Sequence, residues 1–185
     1  MAIETEKKYR LDKRLIVELT AKLAEVGAEF VGEVFEENFL HRGGTLDERS
    51  AALRIRKTAD NTTLTYKEKL RDDGGIKHKI EYETDIADAE ALERIIEMLG
   101  YHLSVVYEKH RKTWKLNDVE IVLDELPFGQ YMEIEGTIDA IATAEKLLGI
   151  KKLEVEPRGY PSLTVKFGKT AGSVSEARFG KTASA

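Results

Sequence analysis

The fold is decided by the stretch Ile3-Glu4-Thr5-Glu6-Lys7-Lys8-Tyr9, close to the start of the chain. Successive side chains of a β-strand point to opposite faces, so this stretch, as a strand, places Glu4, Glu6 and Lys8 on one face. Two carboxylates and an ammonium do not suit a hydrophobic core. They suit the protein surface, or a polar cavity in which acids hold a divalent cation and bases hold an anion.

The same alternation of charges returns further along the chain. Ile80-Glu81-Tyr82-Glu83 and Met132-Glu133-Ile134-Glu135 each carry two acids two residues apart, as the first strand does. Each of these three strands precedes a predicted helix that begins near an aspartate and ends at a glycine. The aspartates are Asp12, Asp88 and Asp139, and the glycines are Gly27, Gly100 and Gly149. The apolar stripe of each helix needs a sheet face to cover, so the charged sides of the strands must face away from the helices.

Composition and charge limit the class of protein. At 185 residues, the chain has room for one domain with a sizeable core. A formal net charge of −5, with no basic run free of acids, argues against a nucleic-acid binder. The absence of cysteine excludes disulfides and thiolate chemistry, and fits a cytoplasmic protein. No apolar run approaches membrane-spanning length, so no membrane segment is predicted.

The domain boundary follows from composition. Residues 1–167 are predicted to form one domain, in which apolar residues recur throughout. Residues 168–185 consist largely of glycine, serine, alanine, threonine and lysine, with little apolar content. This composition predicts a disordered tail.

Two architectures would explain strands with one apolar and one charged face. An open sheet, with helices on one side and a solvated charged face, explains each strand taken alone. Solvated faces normally also contain serine, asparagine and glutamine, whereas here glutamate and arginine recur two residues apart in strand after strand. A closed antiparallel barrel would place these charges inside. A polyphosphate with a divalent metal would then satisfy charges of both signs.

In their order along the chain, these charges resemble the signature of the CYTH superfamily, the triphosphate tunnel metalloenzymes. Glu4-x-Glu6-x-Lys8 is similar to the ExExK motif of that family, and the resemblance covers roughly residues 3–165. The remaining matches are Arg54-x-Arg56, Lys67-x-Lys69, Glu81-x-Glu83, Lys109-x-Arg111, Asp124 and Glu133-x-Glu135. The resemblance implies an α+β fold in which a closed antiparallel β-barrel forms a triphosphate tunnel and helices pack on the outside.

The resemblance also implies a role for each of these side chains. The bases that would bind the triphosphate are Lys8, Arg54, Arg56, Lys67, Lys69, Lys109 and Arg111. The acids that would coordinate Mg²⁺ or Mn²⁺ are Glu4, Glu6, Asp124, Glu133 and Glu135. The catalytic set would be Glu4, Glu6, Lys8, Glu81 and Glu83, with Glu81 and Glu83 holding a water or orienting bases. Lys77 and Lys79 extend the same face, either at the rim or as phosphate contacts.

The resemblance leaves the reaction open. The Glu81-x-Glu83 pair resembles the triphosphatases, which act on inorganic tripolyphosphate, thiamine triphosphate or nucleoside triphosphates. The segments Gly100-Tyr101-His102 and Glu156-Pro157-Arg158-Gly159-Tyr160 resemble the class IV adenylate cyclases, which convert ATP to cyclic AMP and pyrophosphate. We favour hydrolysis, because it needs only a water in line with the terminal phosphate. A non-catalytic polyphosphate- or nucleotide-binding module is the third alternative.

Several features remain open at this stage. The partner implied by the resemblance is a small-molecule triphosphate, without nucleic acid or membrane, and a homodimer of such barrels is compatible with it. The four histidines lack metal-ligand spacing and are assigned no chemistry. Tyr160 either closes one end of the tunnel or anchors the chain.

Overall fold

Ten strands and five helices build residues 3–180, the part of the chain that the computed structural model describes, with the side chain of Asp73 excepted. The strands of the barrel region are β1 (Ile3–Leu11), β2 (Glu29–Arg42), β3 (Ala51–Lys57), β4 (Thr62–Asp73), β5 (Ile76–Asp85), β6 (His102–Leu116), β7 (Val119–Leu126) and β8 (Gly129–Glu135). The two last strands are β9 (Lys169–Ala171) and β10 (Val174–Ala177). The helices are α1 (Lys13–Glu25), α2 (Gly44–Glu48), α3 (Ala89–Met98), α4 (Ile138–Leu148) and α5 (Tyr160–Phe167).

A ring of hydrogen bonds runs through the first eight strands. Their order is β2-β3-β4-β5-β1-β8-β7-β6, and β6 pairs with β2 to close the ring. Every pair in this ring is antiparallel. The structure therefore confirms the predicted α+β fold with a closed antiparallel sheet, and the open-sheet alternative is wrong. Because side chains alternate between the two faces of a strand, closure turns one face of all eight strands inwards.

Helices pack on the outside of the ring. Leu19 and Leu23 of α1, with Ile141 of α4, cover the outer faces of β1, β6, β7 and β8, where Ile121 and Met132 are fully buried. The predicted caps Asp12 and Asp88 accept hydrogen bonds from the backbone amides of Leu15 and Ala91. The cap of α4 is Thr137 rather than Asp139, which lies in the first turn of that helix. Among residues 3–180, no helix is long and apolar enough to span a membrane.

The end of the chain differs from the prediction of a disordered tail from residue 168. β10 pairs in parallel with Val105–Tyr107 of β6, and β9 pairs with β10. β7 reaches only the second half of the long strand β6, from His110 onwards, which leaves a backbone edge for β10 to occupy. This edge exists only in the folded barrel, so the composition of the tail could not reveal it. Residues 181–185 of the predicted tail lie outside the described part.

Helix α1 offers a direct test of the outer core. Leu23→Ala removes a fully buried side chain, and we expect it to lower the free energy of unfolding by about 2–5 kcal/mol, because transfer and cavity terms add. Val17→Ala in the same helix changes a residue that is 69% exposed, and should stay within about 0.5 kcal/mol of the parent. Urea unfolding measures both variants. Equal losses would contradict the packing of α1 described here.

Candidate active site

The inward faces of the ring enclose a cavity of about 800 Å³. All of the predicted site residues line it except Asp124. They are Glu4, Glu6, Lys8, Arg54, Arg56, Lys67, Lys69, Glu81, Glu83, Lys109, Arg111, Glu133 and Glu135. Within residues 3–180, the lining contains eleven lysines and arginines but eight aspartates and glutamates. The cavity thus has an excess of positive charge, although the chain as a whole carries −5.

The pairing of β1 with its two neighbours sets opposite charges against each other. Glu6 lies opposite Lys77 of β5, and Lys8 lies opposite Glu133 of β8. A carboxylate oxygen of Glu6 lies 3.2 Å from Nζ of Lys77, the other lies 2.8 Å from Nζ of Lys79, and Lys8 lies 3.1 Å from Glu133. Burial alone raises the pKa of Glu6, but the lysines around it outweigh burial and lower its pKa to about 2. The buried carboxylate is therefore charged at neutral pH.

Lys77 and Lys79, which the sequence placed either at the rim or at the phosphates, both line the cavity. Lys77 is 4% exposed. Its ammonium donates hydrogen bonds to Glu6 and to the carbonyl oxygen of Arg158. The rim alternative is therefore wrong for Lys77, and the structure adds two bases to the predicted set inside the barrel.

Glu81 and Glu83 bind the bases of the neighbouring strands. Glu83 accepts hydrogen bonds from Arg56 at 2.8 Å and 2.9 Å and from the hydroxyl of Thr65 at 2.8 Å. Glu81 lies 2.6 Å from Nζ of Lys67. These contacts fit the base-orienting alternative of the two roles that the resemblance implies for Glu81 and Glu83.

Asp124 shares the inward face of β7 with Glu120 and Val122 but is not itself part of the cavity lining. It is fully buried, and its two carboxylate oxygens accept hydrogen bonds from Nε and Nη2 of Arg111 at 2.7 Å and 2.6 Å. The hydroxyl of Tyr160 donates a third hydrogen bond to Asp124 at 2.7 Å. Burial alone lowers the pKa of Arg111, but Asp124 and Glu133 outweigh it and raise that pKa well above its usual value. The structure therefore places Asp124 against Arg111, whose Nη2 also donates a hydrogen bond at 2.8 Å to Glu133, another of the predicted metal acids.

Glu36 of β2 is a buried acid that the sequence analysis missed. It is 2% exposed, and its carboxylate lies 3.2 Å from Nζ of Lys109. Burial raises its pKa, but Lys109 and Arg111 outweigh burial and lower it to about 2. The sequence carried a weak signal, because Glu36 shares a strand face with Asn38 and not with a second acid.

A strap at residues 154–158 leads from the outer core into the barrel. The amide of Arg10 donates to the carbonyl of Glu154, and the amide of Glu156 donates to the carbonyl of Lys8. The side chain of Glu156 is buried and accepts hydrogen bonds from Arg158 at 2.7 Å and 2.6 Å, and from Arg10 at 3.2 Å. The strap thus continues the sheet beside β1, and it leads directly into α5.

The acids of β1, β7 and β8 that line the cavity are Glu4, Glu6, Glu120, Glu133 and Glu135. Burial, Glu4 and Glu120 raise the pKa of Glu135 to about 7, whereas the lysines around Glu6 outweigh burial and lower its pKa to about 2. The donors of these acids are all oxygens, the ligands that Mg²⁺ and Mn²⁺ prefer. Within the described chain, no three acids or histidines lie close enough together to hold a metal ion as they stand. Glu4 and Glu6 instead pair with Lys67, Lys77 and Lys79.

Comparison with known proteins agrees with this geometry. The family model described as the CYTH domain matches residues 2–162. A protein of Methanocaldococcus jannaschii named "Putative adenylate cyclase MJ0240" is 32% identical over 150 residues, which cover 79% of this chain and 83% of the relative.

Solved structures share the fold. The PH1012 protein from Pyrococcus horikoshii has a TM-score of 0.75 at 26% identity, over 86% of this chain and 98% of that chain. HpAC1 from Hippeastrum, described as a "putative adenylyl cyclase" that reveals "a dominant" triphosphatase activity, has a TM-score of 0.66 at 19% identity. That likeness covers 92% of this chain and 98% of HpAC1.

The strap predicts a pH-dependent loss of stability. Burial raises the pKa of Glu156, but Arg158 and Arg10 outweigh burial and lower it from 4.5 to about 2. A carboxylate with a lowered pKa stabilises the fold fully above the unfolded value, and this contribution is lost as the pH falls from 4.5 towards 2. We expect Glu156→Gln to lower the free energy of unfolding at neutral pH, with a deficit that shrinks below about pH 4.5.

Urea unfolding at a series of pH values measures this deficit. Glu154→Gln, which changes an exposed acid of the same strap, is the control and should stay within about 0.5 kcal/mol of the parent at neutral pH. A deficit for Glu156→Gln that stays constant down to acidic pH would show that the charge of Glu156 is not what stabilises the strap.

Proposed function

Because the chain belongs to the CYTH family, we propose that it is an enzyme that binds a triphosphate inside the barrel and hydrolyses it with Mg²⁺ or Mn²⁺. Its substrate would be inorganic tripolyphosphate, thiamine triphosphate or a nucleoside triphosphate. One observation carries the proposal: eleven bases line a cavity inside a chain whose net charge is −5. A cavity with a surplus of positive charge in its lining favours a bound anion, and a polyphosphate supplies several negative charges in a narrow chain.

The bases are held ready for phosphate oxygens by the acids beside them. Arg54, Arg56 and Lys67 project from β3 and β4, whereas Lys8, Lys109 and Arg111 project from strands across the ring. A triphosphate between them would receive hydrogen bonds from two sides. Each charge-assisted bond contributes about 1.5–3 kcal/mol. Arg56 beside Glu83, and Lys67 beside Glu81, each have further N–H donors with which to bind a phosphate oxygen while the acid stays in place.

The metal-binding acids in this proposal are Glu4, Glu6, Glu133 and Glu135, which all line the cavity. Asp124, which does not line the cavity, stays a predicted ligand that would have to exchange Arg111 and Tyr160 for the cation. A bound divalent cation supplies Lewis-acid neutralisation of the phosphate oxygens. The protein's own lysines and arginines would bind the phosphates, orient them and stabilise the negative charge on their oxygens.

Hydrolysis requires a water in line with the terminal phosphate. The water oxygen would form a bond to the terminal phosphorus and lose a proton, and the bridging P–O bond would break with its electron pair staying on the bridging oxygen. The products are orthophosphate, formed from the attacked phosphorus, and the remaining diphosphate as the leaving group. We assign the orientation of the surrounding bases to Glu81 and Glu83, since both already bind arginine and lysine side chains in the cavity. The phosphates would then be bound by arginine and lysine side chains that Glu81 and Glu83 hold in place. In-line attack requires that the terminal phosphate be positioned in this way.

A class IV adenylate cyclase is the second candidate. In that reaction the ribose 3′ hydroxyl of ATP attacks the α-phosphorus and pyrophosphate leaves. The name of the Methanocaldococcus jannaschii relative favours it. An uncharged part of the lining at Leu40, Val105 and Val165 also favours it, because apolar side chains there could contact the adenine ring of ATP. Hydrolysis remains our first proposal, because it requires only a positioned water. Cyclisation also requires ATP to be bound in a bent conformation that brings the 3′ hydroxyl to the α-phosphorus.

A product assay separates the candidates. The purified protein is offered tripolyphosphate, ATP and thiamine triphosphate in parallel, with Mg²⁺ or Mn²⁺ and with a chelator. Metal-dependent release of orthophosphate supports the triphosphatase, and the relative rates identify the substrate. Cyclic AMP with pyrophosphate identifies a cyclase, whereas binding without any product identifies a binding module and overturns the proposed enzyme.

Glu135 provides a test of the metal site that should leave the fold intact. We expect Glu135→Gln to abolish metal-dependent turnover, because it removes a carboxylate ligand of the proposed cation. Because burial and the neighbouring acids Glu4 and Glu120 raise the pKa of Glu135, neutralising it removes a partly desolvated charge and its repulsion, and should leave the thermal midpoint unchanged or raised. Turnover and thermal unfolding are measured together, with Glu125→Gln, an exposed acid on the outer face of β7, as the control. Full metal-dependent turnover in Glu135→Gln would remove this residue from the metal set.

Arg56 provides a test of the phosphate cradle. Arg56→Ala should weaken binding of tripolyphosphate and ATP alike by roughly 10- to 100-fold, the equivalent of one lost charge-assisted hydrogen bond. Titration calorimetry measures both dissociation constants. Lys112→Ala is the matched control, because Lys112 is an exposed base that faces away from the cavity on β6. Unchanged affinity for both ligands in Arg56→Ala would show that the cradle is misplaced.

A further inference from the structure

Tyr160 stands where α5 begins, and two of the proposed phosphate-binding lysines meet at its ring. Nζ of Lys8 lies 3.4 Å from the centre of the ring, and Nζ of Lys109 lies 5.5 Å from the same centre. The two lysines come from β1 and β6, which are not neighbours in the ring of strands. The aromatic ring therefore bridges two separate parts of the cavity wall.

The hydroxyl of the same side chain reaches a third base through Asp124. It donates to Oδ2 of Asp124 at 2.7 Å, and Asp124 in turn holds Arg111 by two hydrogen bonds. Asp124 is fully buried, so its orientation depends on these donors. Lys8, Lys109 and Arg111 are thus all connected to Tyr160, either directly or through one carboxylate.

The chemistry of an aromatic ring suits this place. Lys8 is 1% exposed, and its ammonium already has Glu133 at 3.1 Å and the carbonyl oxygen of Arg158 at 3.2 Å. A ring face attracts an ammonium electrostatically without carrying a negative charge. A carboxylate at this position would fix Lys8 but would also neutralise it. Tyr160 fixes the base and leaves its charge available to an anion.

Tyr160 is itself held firmly. Its ring packs edge-on against Tyr131 with the centres 5.5 Å apart, and it lies 6.1 Å from the ring of Tyr107. Leu163, one turn further along α5, is fully buried in the same apolar cluster and does not line the cavity. Helix α5 therefore acts as the rigid support from which Tyr160 reaches the bases.

We propose that Tyr160 is a positioning residue of the triphosphate site, whose ring fixes Lys8 and Lys109 and whose hydroxyl fixes Arg111 through Asp124. The inference rests on the proposed function, since it assigns Tyr160 to the same phosphate-binding bases. It also gives α5, which contributes no charged pair to the sequence signature, a part in preparing the site for its anion.

Titration calorimetry of tripolyphosphate in the presence of a chelator tests the positioning without requiring turnover. Tyr160→Leu removes ring and hydroxyl, and should raise the dissociation constant at least about tenfold, because a desolvated cation–π contact is lost. Tyr160→Phe keeps the ring, should fold, and should raise the dissociation constant by only about threefold, through the loss of the hydroxyl. A purely structural role would show this order of the two variants in the thermal midpoint, whereas a positioning role also shows it in the dissociation constant of the folded protein.

Leu163→Ala is the matched structural control, because it removes a buried side chain from the same helix without touching a base. A loss of folded protein lowers the binding stoichiometry, whereas a loss of positioning raises the dissociation constant. We expect Leu163→Ala to lower the thermal midpoint and, at most, the stoichiometry, with an unchanged dissociation constant.

The outcomes separate this inference from the proposed function. Unchanged affinity in Tyr160→Leu, or an equal loss of affinity in Leu163→Ala, would overturn the positioning role alone. Binding by the parent protein without any product in the assay would overturn the proposed reaction, while the comparison of the Tyr160 variants would still decide the positioning role. A parent protein that binds none of tripolyphosphate, ATP and thiamine triphosphate, either with the metal or with the chelator, would overturn both.

Discussion

Pairing of β2 with β6 closes the sheet, and this closure forces the charged faces of eight strands into one cavity. An unpaired charge in such a place is costly, so the register must bring opposite charges together. Glu6 beside Lys77, and Lys8 beside Glu133, show how neighbouring strands meet this requirement. The apolar faces are turned outwards by the same closure, which is why α1 and α4 pack outside and the interior is left to polar groups.

The interior charges balance only in part, and that imbalance connects structure with function. Bases outnumber acids in the lining, so a bound anion would pair with the lysines and arginines that the acids of the lining do not neutralise. The acids have two places in this arrangement. Glu81 and Glu83 hold bases directly, whereas Glu135 lies among other acids and has a raised pKa. In the function that we propose, the first kind of acid would orient a phosphate-binding group and the second kind would bind the cation.

The candidate site was largely predictable because its side chains repeat at two-residue spacing on strands. Residues without that spacing were missed or left undecided. Glu36 pairs along its strand with an asparagine, and Tyr160 enters the cavity from a helix rather than from a strand. Asp124 illustrates the reverse case, because its place in the charge pattern suggested a metal ligand. In the structure its carboxylate is occupied by Arg111 and Tyr160, which lie 13 and 36 residues away in the chain.

The sequence by itself determined which faces of the strands are charged, which helices cover them and where α1 and α3 begin, because these properties depend on spacing within a few residues. It also placed the paired charges in the order that identifies the family. Only the tertiary structure decided which acid meets which base, that β10 occupies the free edge of β6, and that Tyr160 bridges Lys8 and Lys109. These features depend on strand register and on contacts between distant segments, which local periodicity does not encode.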